Sequence, residues 1–146
     1  MILNEKKGSL FELNEKYALA HCISQDCAMG AGIAVEFQKR FKLRSDIREV
    51  LITSETLSYP ITIGIHRNGR VIYNLITKSK YWQKPTYETI TQCIREMKDM
   101  CKRDKIRYLA IPKLGCGLDR LQWGKVREII KEEFKGMDIE IEVRYL

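Results

Sequence analysis

Histidine is scarce in this chain: His21 and His66 are the only two in 146 residues. No CxxC pair occurs among the five cysteines, Cys22, Cys27, Cys93, Cys101 and Cys116, so a structural zinc site lacks ligands at workable spacing. The odd cysteine count argues against a disulfide framework, and so does an N-terminus (MILNEKK) without the charged-then-apolar order of a signal peptide. The expectation is reduced, mostly buried thiols in an intracellular, cytoplasmic protein, or a nuclear one in a eukaryote. Long apolar runs are also missing; Ile61–Ile65 is far too short to cross a bilayer. There is no repeat, low-complexity tract or linker. Neither GxGxxG nor GxxxxGK followed by Ser or Thr occurs, which excludes a Rossmann or P-loop nucleotide site on pattern.

What remains has the balance of one globular domain: 45% hydrophobic and 31% charged residues over a length that holds a single core. The net charge of +7 favours phosphate-bearing partners, free nucleotides and nucleic acids alike, but is equally the charge of a well-solvated surface. Nothing demands more than a monomer.

Periodicity divides the chain into strands and helices. Tyr17–Ile23 reads as a buried strand. Ile33, Ala34, Phe37 and Phe41 make one face of a helix over Ile33–Phe41, and Ser45–Leu51 reads as a second helix. Ile61–His66 and Val71–Ile76 flank Arg67-Asn68-Gly69-Arg70, a hairpin signal because asparagine and glycine tolerate positive φ. A basic, aromatic loop, Lys78–Lys84, precedes a helix opened by Pro85 and Thr86 that runs to about Arg103, striped by Ile90, Cys93, Ile94, Met97 and Cys101. Ile106–Ile111 is a strand stopped by Pro112. Trp123, Val126, Ile129, Ile130 and Phe134 mark another amphipathic helix, with Gly136 placed to cap its end, and Ile139–Tyr145 is a closing strand. Alternating strands and helices predict an α/β fold with a mixed or parallel central sheet, to which the hairpin adds an antiparallel element.

Two glycine-bearing loops sit where such folds bind ligands, beyond the carboxyl ends of strands. One is Met29, Gly30, Ala31, Gly32, Ile33 and Ala34; the other is Leu114, Gly115, Cys116, Gly117, Leu118 and Asp119. Glycines admit a phosphate close to the backbone, and N–H groups at a helix start favour an anion. One such loop is as well read as a tight turn. Two of them, facing one cleft, suit the two phosphates of a pyrophosphate.

The strings HCIS (21–24), MGAGIA (29–34), LITK (75–78), KPTYE (84–88) and LGCGLDRLQW (114–123) resemble the macrodomain family, in particular its ADP-ribose glycohydrolase and O-acetyl-ADP-ribose deacetylase members. The resemblance runs from Gly8 to Leu146. It implies a three-layer α/β/α macrodomain, no cofactor and no metal, and a hydrolase that removes ADP-ribose from protein carboxylates. By resemblance Lys78 attacks the anomeric carbon of the distal ribose and Asp119 helps release the sugar from it. The implied ligand contacts are Ser9, Leu10, Ser24, the 29–34 loop, Thr77, Lys113, the 114–118 segment and the C-terminal Leu146. Family members commonly carry an aspartate next to the early glycine, bonded to the adenine amino group. Ser9 stands there in this chain, with shorter reach and no charge. Losing a neutral hydrogen bond costs about 0.5–1.5 kcal/mol, a several-fold weakening. The ending Val143-Arg144-Tyr145-Leu146 also departs from the family's usual one and bears on the adenine rim.

Taken without the resemblance, Lys78 reads equally as a solvated lysine and Asp119 as a carboxylate at a helix entry. A lysine attacks only when neutral. Lys80 and Lys84 disfavour an ammonium at 78, but a bound pyrophosphate opposes them, which leaves Asp119 as the better activating base. Cys116 is better read as a packing residue than as a nucleophile, and His21 and His66 as structural. Tyr81 and Trp82 are as readily an exposed aromatic pair as a cover for the distal ribose or a stacking platform for a base. Besides ADP-ribosylated proteins, the class of partner includes ADP-ribosylated nucleic acid. A non-catalytic ADP-ribose reader would need the loops but not both Lys78 and Asp119. A nucleic-acid-binding domain would use Lys78–Lys84 with Lys39, Arg40, Lys42, Arg44 and Arg48.

Overall fold

The computed structural model describes residues 1–54 and 56–146. Its centre is a six-stranded sheet built from β1 (Ile2–Lys7), β2 (Ala18–Ser24), β3 (Ile61–Arg67), β4 (Arg70–Lys78), β5 (Tyr108–Ile111) and β6 (Glu140–Tyr145), in the spatial order β1-β6-β5-β2-β4-β3. Every neighbouring pair is parallel except β3 with β4. That pair is the predicted hairpin. Its loop is two residues rather than four, with Asn68 and Gly69 at φ 53° and 80°, the positive values a tight right-twisting turn requires.

Alternation along the central strands feeds two cores at once. On β4, Val71, Tyr73 and Leu75 join one cluster while Ile72 and Ile76 join the other. On β2, Ala18 and Ala20 oppose Leu19 and Ile23 in the same way. Strands apolar on both faces need a helical layer on each side. Helices α3 (Tyr87–Arg103) and α4 (Trp123–Glu133) supply one layer, through Ile90, Ile94, Met97, Val126 and Ile130. Helices α1 (Ile33–Phe41) and α2 (Arg44–Thr53) supply the other, through Phe37, Phe41 and Ile47. The three-layer α/β/α arrangement with a mixed sheet is the one expected.

Local signals set the ends. Thr86 and Thr89 form a reciprocal capping box that starts α3. Phe134 caps α4, and Gly136 turns the chain just beyond it at φ 81°. Two elements escape sequence patterning. Strand β1 is a charged, exposed edge (Ile2–Lys7) that earns its place by backbone pairing with β6, so it carries no hydrophobic alternation. A 3-10 turn, Leu10–Glu12, drops Leu10 into the α1/α2 core. Strand β5 starts at Tyr108, two residues later than the apolar run suggested, because Lys105 adopts φ 56° at the turn before it. Among the described residues no helix is long and apolar enough to cross a membrane.

His21 lies wholly inside this sandwich. Its ring stacks on Phe37 at 3.8 Å between centroids, and its Nε2 shares a 2.7 Å hydrogen bond with Asn74 Oδ1. Burial lowers its pKa from 6.5 to about 4, against the opposing pull of Asn74. The folded state therefore holds the ring neutral while an unfolded chain protonates it near pH 6.5. Stability falls as pH drops from 6.5 and levels off near pH 4, a loss on the order of 3 kcal/mol from this residue. Urea unfolding across that window should show the decline, and His21→Gln should flatten it. An equally steep slope in the variant would remove His21 as the cause.

Candidate active site

Parallel strands end on the same edge of a sheet, and here that places the carboxyl ends of β1, β2, β4, β5 and β6 together. Ser24 closes β2, Lys78 closes β4, the 112–119 segment follows β5 and Leu146 follows β6. Residues scattered from Ser9 to Leu146 thus share one end of the molecule.

A bulge sharpens the arrangement. Ile23 pairs with Ile76, but Ser24 pairs with Lys78, leaving Thr77 without an opposite residue. Bulges re-aim the side chain that follows them. Lys78 Nζ donates to Asp119 Oδ1 at 2.5 Å, with the two side chains only 13% and 15% exposed. A pair so shielded from water interacts more strongly than a surface ion pair, and loss of either partner leaves a poorly solvated charge.

The two loops are held by different means. Just before the first, Arg44 donates through Nε to the Cys27 carbonyl at 2.8 Å and through Nη2 to the Ala28 carbonyl at 2.7 Å. Asp26 accepts from the Ser24 hydroxyl, from Ala28 N at 3.2 Å and from Tyr81 N at 3.0 Å. Burial alone would raise its carboxyl; these three donors and the charge of Lys80 outweigh burial and hold it below its ordinary range. Gly32 caps α1 at φ 61° and no side chain accepts from the first turn; Val35 N donates to the Gly32 carbonyl, and the Ile33 and Ala34 N–H groups are open to an anion. In the second loop, Leu121 N donates to Gly115 O at 2.8 Å and Lys84 Nζ to Leu118 O at 2.7 Å. The loops meet where a Leu118 methyl lies 3.8 Å from the position a Cβ on Gly32 would take.

The other expected contacts take several forms. Ser24 and Thr77 are buried at the strand ends, and the Thr77 hydroxyl has no partner. Leu10, Met29, Ala34 and Leu114 are buried, with side chains in the cores. Gly30, Ala31 and Gly117 are exposed, while Ile33 is half-buried. Lys113 lies over the Tyr145 ring at 4.0 Å, next to the exposed Leu146. The Ser9 hydroxyl accepts from Phe11 N at 3.1 Å and so caps the 3-10 turn. Burial pushes the Cys116 thiol up to about 11, with Asp119 adding and Lys113 opposing, so it is held as a thiol and not as a nucleophilic thiolate. Among the described residues no group of three or more histidine, cysteine, aspartate or glutamate side chains could hold a metal ion.

Asp26 and Arg44 are the structural surprises. Asp26 had a local signal, an Asx turn in which its carboxylate takes the N–H two residues on. Arg44 had none, because its acceptors lie sixteen and seventeen residues away. Arg44 was one of the cations open to nucleic acid, and its guanidinium is instead engaged with its own chain.

Comparison with known proteins places this geometry. A family model described as the Macro domain matches residues 20–130. The chain is 44% identical over 137 residues to the human ADP-ribose glycohydrolase OARD1, across 94% of this chain and 87% of that one. It is 25% identical to a DNA ADP-ribosyl glycohydrolase of Thermus aquaticus, across 90% of this chain and 38% of that protein. Among solved structures, the macrodomain of Thermus aquaticus DarG matches with a TM-score of 0.87 at 20% identity, over 99% of both chains, which speaks to the fold alone.

Gly115 tests how tightly the second loop is packed. It sits at φ 72°, and a Cβ there would lie 2.9 Å from Ile90 Cδ1 and 3.0 Å from Leu121 Cδ1. Gly115→Ala should cost about 1–3 kcal/mol in chemical denaturation. Gly117→Ala meets nothing within 4 Å and should stay within about 0.5 kcal/mol of wild type. Equal losses would contradict the packing described.

Proposed function

This chain belongs to the Macro domain family, and from that premise we propose that it is a hydrolase removing mono-ADP-ribose from glutamate and aspartate esters on proteins, and acting on O-acetyl-ADP-ribose as well. The observation that carries the reading is the shielded contact of Lys78, at the end of β4, with Asp119, at the end of the second glycine-bearing loop, 2.5 Å apart. A pure ADP-ribose reader needs the loops for the pyrophosphate. It has no need of a carboxylate next to the phosphates, where it repels the ligand, paired with an amine.

The loops hold the pyrophosphate, with the uncapped start of α1 and the 114–118 backbone as anion donors. Asp119 takes the proton from Lys78, and the neutral amine attacks the anomeric carbon of the distal ribose. A C–N bond forms as the C–O bond to the carboxylate breaks, and the carboxylate leaves with the electron pair. Asp119 then assists water in cleaving the sugar from Lys78, which regenerates the amine and yields ADP-ribose. Ser9 is the adenine-end contact in this reading, and an intracellular, monomeric protein suits it.

A second reading, ADP-ribosylated DNA as substrate, draws on the +7 charge and on the similarity to the Thermus aquaticus enzyme. It ranks lower because that similarity is weaker and the cations on α1 and α2 are partly engaged within the chain.

Turnover of an ADP-ribosylated glutamate peptide should fall by about 10²-fold or more in Lys78→Ala and in Asp119→Ala, with ADP-ribose binding retained. Mass spectrometry after incubation with ADP-ribose should find the adduct on Lys78, accumulated in Asp119→Ala. Full activity in both variants would overturn the mechanism.

A further inference from the structure

The sugar carbon facing Lys78 carries the group that leaves, and whatever that group is attached to must lie over the rim of the cleft. Three and four residues beyond Lys78 stand Tyr81 and Trp82, 66% and 67% exposed. Large aromatic rings in water are costly to leave uncovered and are typical anchors in recognition surfaces. Their loop is braced rather than slack. Tyr81 N is held by Asp26, Lys80 N by Gln83 Oε1 at 2.9 Å, Gln83 N by Lys80 O at 3.0 Å, and Lys84 reaches across to the Leu118 carbonyl. Leu118, 65% exposed, continues the apolar rim on the opposite loop. None of these three side chains contributes to either core.

The charges around the rings are mostly positive. Lys80 and Lys84 flank the rings along the chain and are exposed, and Arg120, exposed as well, follows Asp119 on the loop whose Leu118 carbonyl Lys84 reaches, while the charge of Lys78 is matched by Asp119. A strand of nucleic acid needs a run of cations along its backbone. Here Asp26, bonded to Tyr81 N, and Glu88, at the start of α3, interrupt such a run. Isolated cations around an aromatic pair suit a short peptide with acidic side chains.

We propose that Tyr81 and Trp82, with the neighbouring Lys80 and Lys84 and with Arg120 on the opposite loop, form a docking surface for the polypeptide that carries the ADP-ribose, selecting acidic residues next to the modified carboxylate. This rests on the hydrolase reading and names the substrate segment that the active site faces. The rings act on the leaving polypeptide and not on the ADP-ribose.

Two substrates that share the reaction separate recognition from chemistry: a peptide ADP-ribosylated on glutamate with acidic flanks, and O-acetyl-ADP-ribose with its ester at the anomeric position. Trp82→Ala and Tyr81→Ala should each lower kcat/KM for the peptide by about tenfold, mostly through KM, with O-acetyl-ADP-ribose turnover and melting temperature unchanged. Lys80→Glu should shift preference from acidic to basic flanks, and added salt should weaken the wild-type preference. Equal losses on both substrates would place the rings on the ADP-ribose and overturn the proposal. So would a loss confined to an ADP-ribosylated oligonucleotide, or no loss on the peptide. Wild-type turnover of O-acetyl-ADP-ribose without flank preference would sink the docking surface alone. Turnover of neither substrate would sink the hydrolase reading and the docking surface with it.

Discussion

Parallel pairing at the centre of the sheet is the constraint on which the site depends. Because β2, β4, β5 and β6 run the same way, everything that follows each strand emerges at one edge. Ser24, Lys78 and the 112–119 segment are brought together by sheet topology and not by nearness in sequence. The strands can be parallel because both faces are covered, and both faces can be covered because β2 and β4 present apolar side chains on either side. The same apolar alternation that builds the core therefore aligns the edge that carries the candidate site.

On that edge the backbone is fixed by charged side chains. Arg44 clamps two carbonyls at the entry to the first loop, Asp26 gathers donors from β2, that entry and the aromatic loop, and Lys84 holds the second loop by its Leu118 carbonyl. Met29, Ala34 and Leu114 anchor the two loops in the cores, and these ties hold the exposed glycines between the anchors. Loops tied in this way have little entropy to lose on binding, which favours affinity and the alignment of the groups they hold. The Lys78–Asp119 contact is the end point of these restraints, with the amine fixed from the strand side and the carboxylate from the loop side.

Legibility in the sequence varied with the range of the interaction. Helices α1, α3 and α4 and the β3–β4 hairpin were readable because their signals are local: 3.6-residue periodicity, a capping threonine, an asparagine-glycine turn. Strand β1 was not readable, since its ties lie at the far end of the chain: backbone pairing with β6 and contacts of Glu5 with Trp123 and Arg127. Nothing local separates Arg44 from the other cations that a nucleic-acid-binding domain would use, because its partners are carbonyls sixteen and seventeen residues back. The Thr77 bulge leaves no trace in residue type; it exists only as a mismatch between two paired strands.

Taken alone, the sequence determined the layer architecture, the two glycine-bearing loops and the positions after strands where a phosphate ligand would sit. Each follows from which residues neighbour one another along the chain. It could not decide whether Lys78 is a solvated lysine and Asp119 a helix-entry carboxylate, for these two lie forty-one positions apart. Only the tertiary structure decided that they touch, shielded from water, because contact between them depends on strand order, on the bulge at Thr77 and on the path of the 112–119 segment. Those are properties of how the strands pair and not of any one stretch of residues.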